Sequence, residues 1–249
     1  MKLAVFVVVL AGCSRPATPR HDETKLAPLD VAPAVVLEPI DARTADATAD
    51  AASVSIVDAP IKWSDERERL TLEYRRRHSD PDASDLTIAP KVIVLHYTAG
   101  GSAKATRGYF DNTKIEAARK DLARGGAVNV SAHFLVDRDG TIYRLQPETR
   151  FARHCIGLNH IAIGIENVGD EAKYPLTDAQ VEADAALVRD LTARFPITHL
   201  LGHYEVMKFK QHAYFIEREA GYANSKPDPG EKFMQQVRER VGDLKLSGL

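Results

Sequence analysis

The chain has 249 residues, with 33 basic and 35 acidic side chains and a net charge of −2 when histidine is neutral. That length suits one domain, or one domain with a tail, and the balanced charge gives no global reason to expect a nucleic-acid partner. Two cysteines exclude a disulfide-dense scaffold, and the lack of any apolar run of about 18 residues excludes a multispanning membrane protein.

Met1-Lys2 is followed by the apolar stretch Leu3 to Ala11, then Gly12 and Cys13. A basic start and a short apolar run read as an export signal, too short to span a bilayer. The alternative, a buried first strand of a cytosolic protein, would run straight into residues unsuited to a core. Leu10-Ala11-Gly12-Cys13 resembles a bacterial lipoprotein cleavage site. The resemblance implies a signal peptide over 1–12, cleavage before Cys13, acyl chains on its sulfur and anchorage to a membrane. Ser14, in place of an aspartate, favours by the same resemblance the outer membrane, with the protein facing the periplasm. Residues 13–60 read as a disordered tether: from 14 to 60 there are six prolines, eleven alanines, four basic and eight acidic residues, and no glycine or aromatic residue, a composition that cannot build a packed core. Within it, Val54 to Val57 could form a short strand at the domain edge. Residues 61–249, with 28 basic and 27 acidic side chains, form the expected folded domain, a monomer. With Cys13 lipidated, only Cys155 is left and no intramolecular disulfide can form.

Ser64 is placed to cap a helix over 65–77, whose end carries Arg75-Arg76-Arg77-His78; this basic run reads as a solvated helix face more readily than as a docking site. Val92 to Leu95 is an apolar strand running into His96-Tyr97-Thr98 and stopped by Gly100-Gly101. One or two helices fit 103–123, weakened at Gly108 and ended by Gly125-Gly126. Residues 132–136 and 141–145 frame a hairpin turn at Asp137-Arg138-Asp139-Gly140, and Ala162 to Glu166 makes a further strand. Thr177 and Gln180 form a capping box for a helix over 178–194, with Leu176 and Val181 as its staple. Its apolar stripe is Val181, Ala185, Val188, Leu191 and Phe195. A short strand over 197–201 leads to Gly202-His203, an aromatic stretch follows over 204–222, and a last helix occupies 231–240. Strands alternating with helices predict an α/β fold, a central mixed sheet flanked by helices.

The chemistry-bearing residues sit at strand ends. His96 shares a strand face with Val92 and Val94. His203 follows a second apolar strand, and Asp228 stands between Pro227 and Pro229. A lone histidine at such a place is more often structural than functional. Two imidazoles and a carboxylate nonetheless make a three-ligand set for a catalytic zinc, with a fourth position open. They lie 107 and 25 residues apart, so only the fold could bring them together.

Residues 88–240 resemble the zinc-dependent N-acetylmuramoyl-L-alanine amidases of the phage-lysozyme type, which share a fold with peptidoglycan recognition proteins. The resemblance rests on Val94-Leu95-His96-Tyr97-Thr98, Ser131-Ala132-His133-Phe134 with its Asp137-Arg138-Asp139-Gly140 hairpin, Ile163-Gly164-Ile165-Glu166, Gly202-His203 and Lys226-Pro227-Asp228-Pro229-Gly230. It implies one zinc ion on His96, His203 and Asp228, where some members have cysteine as third ligand. It implies Glu166 as catalytic acid and base, Lys226 as its assistant, and peptidoglycan or muropeptides as substrate. His133 is then expected to contact substrate or orient a ligand, His154 to line the substrate groove, and Asn159 to contact the glycan or peptide. Cys155 departs from the family's small residue at its position. The alternatives are a noncatalytic peptidoglycan-binding lipoprotein of the same fold, a metallopeptidase of other specificity, and a purely structural lipoprotein.

Overall fold

The computed structural model describes residues 54–249; the expected signal peptide, Cys13 and the tether up to residue 53 lie outside the described residues. Six strands make one sheet: β1 (Ile56–Asp58), β2 (Val92–Tyr97), β3 (Phe134–Val136), β4 (Ile142–Arg144), β5 (Ala162–Asn167) and β6 (His199–Gly202), in the order β1-β4-β3-β5-β2-β6. The β3–β4 hairpin is antiparallel and every other pairing is parallel, which is the mixed sheet expected. β1 falls inside the stretch read as tether, and it pairs Ile56 with Ile142 at the sheet edge, where the short apolar run Val54 to Val57 had pointed.

The period-two alternation of β2 and β5 divides the core. Ile93, Leu95, Ile163 and Ile165 pack with Phe134 and Val136 beneath α4 (Asp178–Arg194) and α6 (Glu231–Arg240). Val92, Val94 and Ala162 face the other way, toward Cys155, Leu158, Val206 and Phe209. Both halves of the Thr177–Gln180 capping box are formed, and Val181, Ala185, Val188 and Leu191 are the buried stripe of α4. The segment 103–123 resolves into α2 (Ala103–Phe110), with Gly108 inside it, and a five-residue α3 (Lys120–Arg124) closed by Gly125.

The Ser64 hydroxyl caps α1 (Asp65–His78) by accepting the Arg67 N–H. The basic run at its end is used within the domain. Arg75 donates to the carbonyls of Asp85 and Thr87, Arg76 to that of Ala83, and Arg77 forms a fork with Glu219. His78 is buried between the Glu217 carboxylate and the Gly125 carbonyl. The run is therefore neither a free solvated face nor a docking patch, because each of these side chains finishes the hydrogen bonding of a neighbouring loop. The aromatics of 204–222 pack inward in the same way: Phe209 and Tyr222 are buried, and Tyr204, Tyr214 and Phe215 lie against the core clusters. Among the described residues, no helix is long and apolar enough to cross a membrane.

Candidate functional site

β5, β2 and β6 are adjacent and parallel, so their carboxyl ends open on one side of the sheet, where open α/β sheets bind ligands. His96 and Glu166 are register partners near the ends of β2 and β5. His203 comes directly after β6, as the first residue of α5 (His203–Val206). The loop before α6 supplies Asp228 from between Pro227 and Pro229, with the Tyr204 N–H bound to the Asp228 carbonyl at 2.9 Å. Strand ends and one loop thus bring together residues that the chain holds far apart.

The His96 Nδ1 and His203 Nδ1 atoms are 2.9 Å apart, and Asp228 Oδ2 lies 3.1 Å from His203 Nδ1 and 3.3 Å from His96 Nδ1. Among the described residues, these three form the one group of histidine, cysteine or carboxylate side chains close enough to hold a metal ion. The donor set suits zinc. Bonds of about 2.0–2.2 Å in tetrahedral geometry separate ligand atoms by roughly 3.3–3.5 Å, a few tenths of an ångström wider than the triangle seen. Two imidazole nitrogens and one carboxylate are also the borderline-soft mixture that zinc prefers.

His203 is braced from behind. The Glu205 carboxylate accepts the Gly202 N–H at 2.8 Å and is gripped by both terminal nitrogens of Arg238 in α6, at 3.0 and 2.6 Å. Gly202 is required for space, since a Cβ there would stand 2.6 Å from the Tyr204 ring and 2.9 Å from Met234.

A cavity of about 500 Å³ opens in front of the three ligands and is also lined by Glu166, Lys226 and His154. Glu166 Oε2 is buried without a hydrogen-bond partner in the protein. Burial, and then the nearby Asp228, push its carboxyl well above the ordinary value. Burial works against the ionised Asp228, yet the imidazoles of His203 and His96 beside it hold its carboxyl well below the usual range. Burial, followed by His203, brings His96 down to about 4, so its imidazole is neutral and can act as a ligand.

His96, His203, Asp228, Glu166 and Lys226 are together in the cavity, as the sequence had suggested. His154 is there as well, but its Nδ1 is turned to His96 Nε2 at 3.0 Å. His133 is elsewhere. It is fully buried, its Nδ1 accepts the Gly164 N–H and its Nε2 binds the Arg150 carbonyl. With both nitrogens committed to backbone, it ties β5 to the loop at Arg150 and cannot touch substrate, which corrects the expectation of contact. Asn159 is corrected likewise: it is buried, and its Oδ1 accepts the N–H groups of His154 and Cys155 at 2.9 and 2.8 Å. It shapes the loop that carries His154 instead of contacting glycan or peptide. Cys155 is buried and burial pushes its thiol up, so it is no nucleophile. Tyr97, Tyr109, Arg119 and Asn224 also line the cavity and were missed. All but Tyr97 stand in or beside irregular loops with no sequence periodicity to reveal them, whereas Tyr97 follows His96 directly and could have been read as a wall residue.

Beneath the site, Asn167 donates to the His96 carbonyl at 3.3 Å and to Asp184 Oδ2 at 2.9 Å. Asp184 is completely buried in α4, and burial raises its carboxyl to about 7 against a hydrogen bond from Asn167 that lowers it. In the unfolded chain it ionises near its ordinary value, so stability falls as pH rises from about 4 to about 7 and the full penalty persists above that. Asp184→Asn is expected to remove it. Thermal melts should show the variant gaining on the parent at pH 8, by at most about 4 kcal/mol, and gaining little at pH 4.

Residues 86–231 match the family described as N-acetylmuramoyl-L-alanine amidase. The chain is 31% identical over 100 residues to an endolysin of Escherichia phage T7, a match covering 38% of this chain and 66% of that protein, just under two thirds of its length. It is 25% identical over 145 residues to peptidoglycan recognition protein 3 of Mus musculus, covering 55% of this chain and 39% of that one. Among solved structures it is similar to the endolysin N-acetylmuramoyl-L-alanine amidase LysCS of Clostridium intestinale URNW, with 23% identity, a TM-score of 0.48, and coverage of 78% of this chain and 97% of that one. As the family match takes in more than half of its residues, the chain belongs to the N-acetylmuramoyl-L-alanine amidase family.

Proposed function

We propose that the protein is a zinc-dependent hydrolase of the amide that joins the lactyl group of N-acetylmuramic acid to L-alanine in peptidoglycan or its fragments. The observation that carries this reading is the meeting of His96 Nδ1, His203 Nδ1 and Asp228 Oδ2 within 3.3 Å of one another, at the wall of a cavity shared with Glu166 and Lys226. These three side chains would hold a zinc ion, which would supply Lewis acidity toward the amide carbonyl and a more acidic water near neutral pH. Glu166 takes the proton from the attacking water through its unpartnered carboxylate and delivers it to the departing nitrogen as the carbon–nitrogen bond breaks. Its raised affinity for protons suits both halves of that task. Lys226 faces the charge that develops on the carbonyl oxygen and stabilises it. A protein that only binds peptidoglycan has no need of a buried, unpartnered carboxylate oxygen on Glu166, a residue of the cavity wall.

The test is product analysis on isolated cell wall, with the chain as prepared, after chelation and after zinc is restored. Stem peptides with a free N-terminal L-alanine are expected from the first and third samples and none from the second. Cleavage between peptide residues would reassign the protein as a peptidase, and binding without any turnover would leave the noncatalytic reading. Anchorage at the outer membrane through Cys13 is part of the same proposal and is supported by the basic start and apolar run of residues 1–11, by Leu10 to Cys13 and by Ser14. Incorporation of labelled fatty acid by the parent and none by Cys13→Ala would test it.

A further inference from the structure

We propose that His154 is a positioning residue that sets the tautomer of His96, so that His96 turns a bare Nδ1 toward His203 and Asp228; this rests on the reading of His96 as a metal ligand. The polarity follows from the end of a hydrogen-bond chain. His154 Nε2 has the Ala162 carbonyl as its partner, at 3.3 Å. A carbonyl can only accept, so Nε2 carries the proton and His154 Nδ1, in the neutral ring, is an acceptor. His96 Nε2 lies 3.0 Å from that acceptor and must therefore donate. The one proton of a neutral His96 is then spent on the side away from the site, and Nδ1 keeps its lone pair. Metal-binding histidines commonly give their second nitrogen to a neighbour that fixes ring and tautomer in this manner. Here the neighbour is another imidazole, and the backbone fixes its direction in turn.

The surroundings are built around that ring. β5 places Ala162, Gly164 and Glu166 on one face. At Gly164, a Cβ would stand 2.7 Å from Cγ and Nδ1 of His154, so the strand leaves out a side chain at the point the imidazole occupies. The Asn159 Oδ1 holds the backbone of His154 and Cys155 by accepting both of their N–H groups. The His154 and His96 rings meet edge to face, 5.2 Å between centroids. A histidine meant chiefly for substrate would not have both ring nitrogens engaged within the protein.

Three variants of the full chain test this. His154→Ala removes the acceptor, His154→Asn puts an amide oxygen near the place of Nδ1, and Gly164→Ala keeps His154 while driving a methyl group into its ring. Zinc affinity is measured by chelator competition, and the protonation pattern of His96 by long-range proton–nitrogen NMR on the metal-free protein. The expected results are a parent His96 protonated at Nε2 alone, zinc affinity lower by about 10- to 100-fold in His154→Ala, a similar fall in Gly164→Ala, and recovery of most of the loss in His154→Asn. A proton on Nδ1 of His96 in the parent would overturn the inference, as would equal zinc affinity in the parent and in His154→Ala. If His154→Ala does not fold, unchanged affinity in Gly164→Ala overturns it. A parent that takes up no zinc would defeat the metal reading instead, while the NMR pattern still decides the direction of the relay.

Discussion

Glutamine in place of Glu166 is expected to leave zinc affinity unchanged and to lower amide hydrolysis by about 10²- to 10⁴-fold, the usual contribution of a positioned acid–base group. The substitution keeps the shape of the side chain and takes away its capacity to accept and return a proton. Glu166 makes no hydrogen bond through Oε2, so no structural partner is lost. Burial and the neighbouring Asp228 already oppose its ionised form, so a neutral amide should leave the fold at least as stable at neutral pH. Turnover on cell wall and zinc content, measured on the same sample, separate a chemical defect from a binding one. Parental turnover in Glu166→Gln would remove Glu166 from the reaction.

The second large effect is expected at Asp228. Asp228→Asn preserves the outline of the loop but removes the only formal negative charge among the three proposed ligand side chains, from an oxygen that lies 3.1 and 3.3 Å from the two imidazoles. Zinc affinity is expected to fall by more than about 100-fold, beyond the range typical of a residue that only supports a ligand, because a carboxylate that would itself ligate the ion becomes a neutral, weaker amide donor. Activity should disappear with the metal and return only partly at high zinc. Equal zinc affinity in Asp228→Asn and parent would mean that the ion sits elsewhere, and the role of His96 and His203 would have to be revised with it.

His96 and Glu166 were legible because they stand where sequence patterns break. Val92 to Leu95 and Ala162 to Ile165 announce strands through unbroken apolar character, and the polar residue that ends each, His96 or Glu166, is by topology at the mouth of a parallel sheet. Helix α4 was legible from its capping box and the hairpin from its Asp-Gly turn, both local devices whose chemistry lies within a few residues. What stayed hidden depends on partners distant in the chain. His133 looks like any other histidine beside a strand, and only its bonds to Gly164 and to Arg150 disclose a structural use. The basic run of α1 looks like a surface patch until Ala83, Asp85, Thr87 and Glu219 fold over it. Arg119 and Asn224 reach the cavity wall because irregular backbone carries them there, and Tyr109 reaches it from the last turn of α2; no hydrophobic period encodes those placements.

The brace behind His203 has a practical side. The family match ends at residue 231, while Arg238, whose guanidinium clamps Glu205, lies one to two turns beyond it. A shortened version cut at the edge of that match would retain every residue proposed to touch zinc or substrate. It would nonetheless strand Glu205 as a buried carboxylate with no counter-charge, directly behind His203. For this protein the minimal catalytic fragment and the minimal list of catalytic residues are therefore different things, and the final helix belongs to the first although it contributes nothing to the second.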